Sequence, residues 1–136
     1  GLDHSSAKML PPFTILMTSR ASVGFFGISE LSVCTNQGFI SCVPYNENTR
    51  YYLLFNLMNR VEEIRQKSSG STYMEINKTN FRAFEFVLPE DKVIEQFDFF
   101  ARNIIRQVAV KAKTIQALQD ARDRLLPKLM SGELEL

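Results

Sequence analysis

"DKVIEQFDFFARNIIRQVAVKAKTIQALQDARDRLL", residues 91–126, contains neither Gly nor Pro and spaces its apolar residues in heptads. Ile94, Ala101, Val108 and Ile115 fall in one column; Phe97, Ile104, Leu118 and Leu125 fall in the other, with Lys111 and Arg122 as polar interruptions. This spacing predicts one long helix carrying a coiled-coil seam of about four heptads. At 1.5 Å per residue such a helix runs about 50 Å, whereas a globule of this chain's length is only about 35 to 40 Å across. It is therefore expected to protrude or to pair, the plainer alternative being a helix laid across its own sheet. Pro127 and Gly132 are expected to stop it, the first by removing a donor and the second by relaxing the backbone.

Upstream of this helix the pattern changes. Phe13 to Thr18, Val23 to Ile28, Ser32 to Thr35 and Gly38 to Pro44 are short apolar runs separated by Ser, Gly, Asn and Glu, which reads as a small antiparallel sheet. Across residues 50–67, Tyr51, Leu54, Leu57, Met58, Val61 and Ile64 recur at threes and fours with charges between them, which reads as an amphipathic helix. Phe84 to Leu88 alternates apolar with polar and stops at Pro89, so one further strand is expected. The fold class is α+β: a small, mainly antiparallel sheet with one packed helix, followed by a long protruding coiled-coil helix. The expected divisions are a domain over 1–90, the long helix over 91–126 and a tail over 127–136.

The chain has 136 residues, 45% of them hydrophobic, with 11 Phe and a formal charge of +1. This is the composition of one folded domain with a Phe-rich core. The longest apolar stretches, such as Tyr51 to Phe55, fall far short of the roughly 20 residues that cross a bilayer, so no membrane association is expected. The start at Gly1 lacks both parts of a signal peptide, and the expectation is a fragment of a cytoplasmic protein. Near-neutral charge neither favours nor excludes a nucleic acid, because a local patch suffices.

Catalytic chemistry has little to work with. His4 is the sole histidine and sits in what reads as an irregular leader, so no catalytic triad or Cys-His pair is expected. Glu62 and Glu63 are neighbours on a helix and point about 100° apart, which makes them a solvated face. Cys34 and Cys42 form no zinc-ligand spacing and read as buried free thiols. No GxxxxGK[ST] or GxGxxG cradles a phosphate. No catalytic residue, metal or cofactor is expected.

Four segments carry more specific information: "GLDHSSAKMLPPFTILMTSRASVG" (1–24), "CTNQGFISCVP" (34–44), "SSGSTYMEINKTNFRAFEFVLP" (68–89) and "LQDARDRLLPKLMSGEL" (118–134). Their order and spacing over nearly the whole chain resemble the specificity subunits of type I restriction-modification systems, at the later part of a target-recognition domain followed by its spacer helix. The resemblance implies sequence-specific reading of double-stranded DNA and docking of methyltransferase (modification) subunits. It also implies antiparallel pairing of long helices, which two copies of this chain would imitate through a seam of Ile94, Phe97, Ala101, Ile104, Val108, Ile115, Leu118 and Leu125. Of the family's two recognition domains and two helices, this chain has material for one unit, without its opening strands.

The polar loops suit such a role. Thr18, Ser19, Arg20 and Ser22 combine a guanidinium fork with hydroxyls that fit phosphates or a guanine edge, or else Arg20 pins a carboxylate. Asn36 and Gln37 could pair with adenine if they face a groove, but the turn before Gly38 is the favoured reading. Lys67, Ser69, Ser71, Thr72 and Lys78 gather small donors and ammonium groups around Gly70, whose bare backbone permits close approach to a ligand. The rival from another class is a coiled-coil interaction module without nucleic-acid binding, which leaves these loops unexplained. An RNA-binding sheet built on "VGFFGI" and "GFISCVPY" is weaker, since strand aromatics more often form core.

Overall fold

The computed structural model describes residues 8–70 and 73–134. Three strands, β1 (Ile15–Thr18), β2 (Phe26–Ile28) and β3 (Phe39–Cys42), form an antiparallel sheet in the order β2-β1-β3. Ile15 lies opposite Ile28 and Cys42, and Met17 opposite Phe26 and Ile40. The period-2 alternation of β1 is real: Ile15 and Met17 are fully buried, while Leu16 between them is half-buried. A single 3-10 turn, Glu47–Thr49, leads into α1 (Arg50–Asn59), followed by α2 (Val61–Gln66), α3 (Lys78–Arg82) and α4 (Asp91–Met130). The architecture is thus α+β, with a small antiparallel sheet, packed helices and a long C-terminal helix.

Met17, Val23, Ile40, Leu57, Ile64, Ile76 and Phe84 make the core, so sheet, α1, α2 and the segment after α2 all contribute to it. A Phe-rich core is not what forms. Phe84 is the sole Phe of the deeply buried set; Phe26, Phe81 and Phe86 flank it half-buried. Cys34 is exposed and Cys42 half-buried, so the expectation of two buried thiols holds for neither in full. Burial does push the Cys42 thiol up to about 11.

The helix expected over 50–67 is two. Arg60 leaves helical geometry (φ −105°, ψ 18°) between α1 and α2, yet Leu57 and Ile64 stay two turns apart on the core side, so the apolar period passes through the break unchanged. The strand expected at Phe84 to Leu88 does not form. Phe84 is buried and Phe86 half-buried while their neighbours are exposed, but the backbone is satisfied by side chains: Arg60 Nη1 donates to the Glu85 carbonyl at 2.7 Å, and the Tyr52 hydroxyl donates to the Val87 carbonyl. Alternation reports two-sidedness, not a ladder partner. The run Ser32 to Thr35 shrinks likewise to one bridge, Val33 with Leu10. α3 was absent from the expected elements; Asn77 caps it by accepting from the Asn80 N–H at 2.8 Å.

α4 is continuous over 40 residues, about 60 Å. It carries straight through Pro127, where a stop was expected. The carbonyl that Pro127 leaves without a donor belongs to the exposed residue Asp123, which water can satisfy. The end comes at Gly132, whose positive φ of 74° lets the chain turn back, so that the N–H groups of Glu133 and Leu134 reach the Lys128 carbonyl at 3.0 and 3.2 Å. The chain divides into two compact units, the first ending at Asp98 and the second beginning at Phe99, both inside α4.

Ile64 is fully buried, so Ile64→Ala should lower stability by about 2–5 kcal/mol in chemical denaturation. A loss well under 1 kcal/mol would show that α2 is not anchored through this side chain.

Candidate nucleic-acid interface

β1 ends at Thr18, and the next residue is the centre of the site. Ser19 is only 3% exposed. Its N–H donates to the Gly38 carbonyl at 2.8 Å, and its carbonyl accepts from the Ile76 N–H at 3.0 Å. A buried backbone group needs a partner, and here the partners come from the β2–β3 connection and from the segment between α2 and α3. The Ala21 N–H adds a bond to the Met74 carbonyl at 2.9 Å. Ser69 and Glu75 exchange two backbone bonds of 2.9 Å, which closes the α2–α3 loop on itself. Three loops, far apart in the chain, therefore converge beside the end of β1.

These loops hold most of the polar residues singled out from the sequence. The Thr18 hydroxyl donates to the Ser22 carbonyl and accepts from the Phe25 N–H at 3.0 Å, so it frames the loop. Ser22 is exposed. Arg20 is exposed, and its Nε donates to Glu75 Oε1 at 2.7 Å, the carboxylate pin weighed above. The Asn36 side-chain oxygen accepts from the Gly38 N–H at 2.9 Å, which is turn chemistry; Gln37 beside it is exposed. Ser69 and Lys78 are exposed, Lys78 as the first residue of α3. Ser71 and Thr72 lie outside the described residues. Gly70 has a φ of +137°, and a Cβ there would stand 2.0 Å from the Tyr73 carbonyl oxygen. Its missing side chain is thus required by the loop's own closure.

Lys67 is tethered. Its Nζ lies 3.3 Å from Glu63 Oε1 and 4.2 Å from the centre of the Phe84 ring, and Arg60 stands over the same ring at 5.1 Å. Arg60 also bonds both Glu63 carboxylate oxygens, at 2.8 and 3.1 Å. That bond above all, with a lesser contribution from Lys67, holds the Glu63 carboxyl below the usual carboxylate range, while burial, the second-largest influence, acts the other way; the Arg60 guanidinium is raised correspondingly. Sequence reading did not single out Arg60 or Glu75, and it took Glu63 with Glu62 for a solvated face, whereas Glu63 is paired with Arg60 and Lys67; an Arg and a Glu at i, i+3 is the one signal that was available.

The seam residues fall into two groups. Ile94 is buried, and Phe97 stands edge-on to Tyr52 at 6.2 Å and Phe55 at 6.0 Å, so both belong to the packing of α1. Within the second unit Ala101 is buried, whereas Ile104, Val108, Ile115, Leu118 and Leu125 are exposed, Ile104 by 59% and Leu118 by 65%. Phe99, Phe100, Val110, Leu126 and Met130 add exposed apolar surface away from the seam columns.

Residues 1–118 match the family described as the Type I restriction modification DNA specificity domain, and the chain belongs to that family. It is 26% identical over 137 residues to the type I restriction enzyme HindI specificity subunit of Haemophilus influenzae, covering 98% of this chain and 30% of that protein. Against the type I restriction enzyme MjaIX specificity subunit of Methanocaldococcus jannaschii it is 30% identical over 121 residues, covering 82% of this chain and 28% of that one. A solved chain from work on complex assembly and conformational transition of the type I R-M system superposes with a TM-score of 0.60 at 25% identity, covering 93% of this chain and 33% of the other. The chain spans about a third or less of the length of the proteins it matches.

Because the Glu63 carboxyl is depressed in the folded chain, its contribution to stability is present above the ordinary carboxylate range and is lost as pH falls through the depressed value. Glu63→Gln should therefore flatten the acid limb of a stability-against-pH curve measured by denaturation. An unchanged acid limb would mean that Arg60 and Lys67 do not act on this group.

Proposed function

We propose that this chain is one target-recognition unit with its spacer helix from a type I restriction-modification specificity subunit, and that it reads double-stranded DNA without performing chemistry. The observation that carries this reading is the convergence of three polar loops on Ser19. Arg20, Ser22, Asn36, Gln37, Ser69 and Lys78 are assigned to the DNA-facing surface, with Thr18 and Ser19 as the frame beneath them and Lys67 as a tethered cation at the margin. Hydroxyls, amides and cations from separate loops suit phosphate oxygens and base edges together. The basic residues of α4 do not decide the choice: Arg102, Arg106, Lys113 and Arg124 fall within about 40° of one another around the helix, with Lys111 and Arg122 on the opposite side.

The test is binding by Arg20→Ala, Lys67→Ala and Lys78→Ala in the assembled methyltransferase complex. A residue on phosphate should weaken binding to all sequences and reduce the salt slope by about one, whereas a base-reading residue should lose roughly 1–3 kcal/mol, mainly on the correct target. Parental affinity, slope and preference in all three variants would move the DNA surface elsewhere.

The second unit is assigned to pairing, either with a like helix of a longer subunit or with a second copy, and to docking of methyltransferase subunits in the cytoplasm. A coiled-coil module without nucleic-acid binding is the alternative favoured by the exposed stripe from Ile104 to Leu125, since a bare apolar face of this length demands a cover. Sedimentation of the chain at micromolar concentration should show a dimer that Val108→Asp converts to monomer. A monomer in the parent, with α4 intact by circular dichroism, would remove self-association.

A further inference from the structure

We propose that Glu75 is a positioning residue that presets Arg20 to read one guanine of the DNA target. The inference rests on the assignment of the Ser19 loops to the DNA surface and deepens it. Glu75 is the best-held residue of the α2–α3 loop: its N–H and carbonyl both bond Ser69, and Ile76 next to it bonds the Ser19 carbonyl. Its backbone also bridges Arg20. From this fixed base the carboxylate engages Arg20 at Nε alone, at 2.7 Å. Among the described residues no acceptor takes Nη1 or Nη2, and the side chains are 47% and 42% exposed.

A half-exposed ion pair contributes little to stability because water screens it and two long side chains must be ordered to form it. It does fix the direction of the fork. With Nε occupied, the Nη1 and Nη2 edge is left to form two parallel bonds, which match the O6 and N7 acceptors of guanine in the major groove. An arginine already held in place loses less freedom on binding. Phosphate would offer the same acceptor geometry, but it would bring negative charge beside the Glu75 carboxylate, so a neutral base edge is the better ligand at this spot. Lysine cannot replace the fork.

The experiment is selection from randomised duplexes by the full-length specificity subunit assembled with its methyltransferase subunits, comparing the parent with Glu75→Gln, Glu75→Asp, Arg20→Lys and Arg20→Ala. Expected is a parent that enriches one guanine position, a loss of preference there of about tenfold or more in Glu75→Gln and both Arg20 variants, recovery of much of it in Glu75→Asp, and unaltered preference at other positions. Retained guanine preference in Glu75→Gln, or an Arg20→Ala variant that weakens all sequences alike with a salt slope smaller by about one, overturns the guanine assignment and leaves the loop surface standing. Parental behaviour of Arg20→Ala together with Lys67→Ala and Lys78→Ala overturns both, as does a parent that enriches no sequence. If Glu75→Gln melts early, Arg20→Lys decides alone, since it leaves the Glu75 backbone in place.

Discussion

The arrangement of this chain depends on two backbone bonds at Ser19. Burying that residue at the end of β1 removes its N–H and carbonyl from water, and neither can be left unpaired without a penalty of about 1–3 kcal/mol. Gly38 and Ile76 meet the demand. The connection after β2 and the loop after α2 are thereby drawn to the same end of the sheet, and the polar side chains they carry become one surface. Short strands of three or four residues would hold loops loosely by themselves; cross-loop bonding stiffens what the sheet alone would not.

A second fastening is built on Phe84. Phe84 offers one ring to two cations, Arg60 and Lys67, while Glu63 gathers both. Arg60 reaches further to the Glu85 carbonyl. The segment before α4 is therefore held by Tyr52 of α1 and by Arg60 between α1 and α2, without a strand alongside it. The same cluster restrains Lys67, which makes its ammonium group a positioned charge. On a chain whose formal charge is only +1, where cations are held matters more than how many there are.

The second unit presents a different physical situation. A helix stabilised only by its own hydrogen bonds is marginal in water, and most helical stability in proteins comes from covering an apolar face. From Ile104 to Leu125 the seam residues of α4 are about half or more exposed. The relatives that the chain matches are longer, and it spans about a third or less of their length.

Local pattern was enough for the α+β class, the antiparallel strands near the start of the chain, and α4, because strand alternation, heptad spacing and the lack of Gly and Pro are properties of neighbouring residues. The four ordered segments likewise pointed to the family that residues 1–118 match. Other features were hidden for equally physical reasons. The break at Arg60 preserves the apolar period, and the 84–88 segment alternates without a partner strand, so neither leaves a mark in spacing. The passage of α4 through Pro127 depended on solvent reaching one carbonyl. Arg20, Asn36 and Gly70 were recognisable as polar or permissive positions, and Asn36 before Gly38 as a turn, but Glu75 and Tyr73 as the partners of Arg20 and Gly70 emerged from folding. Residue type and spacing determined what each segment could become. Which segments met at Ser19 was decided by tertiary structure alone, because the satisfaction of buried backbone groups is a contest among distant parts of the chain.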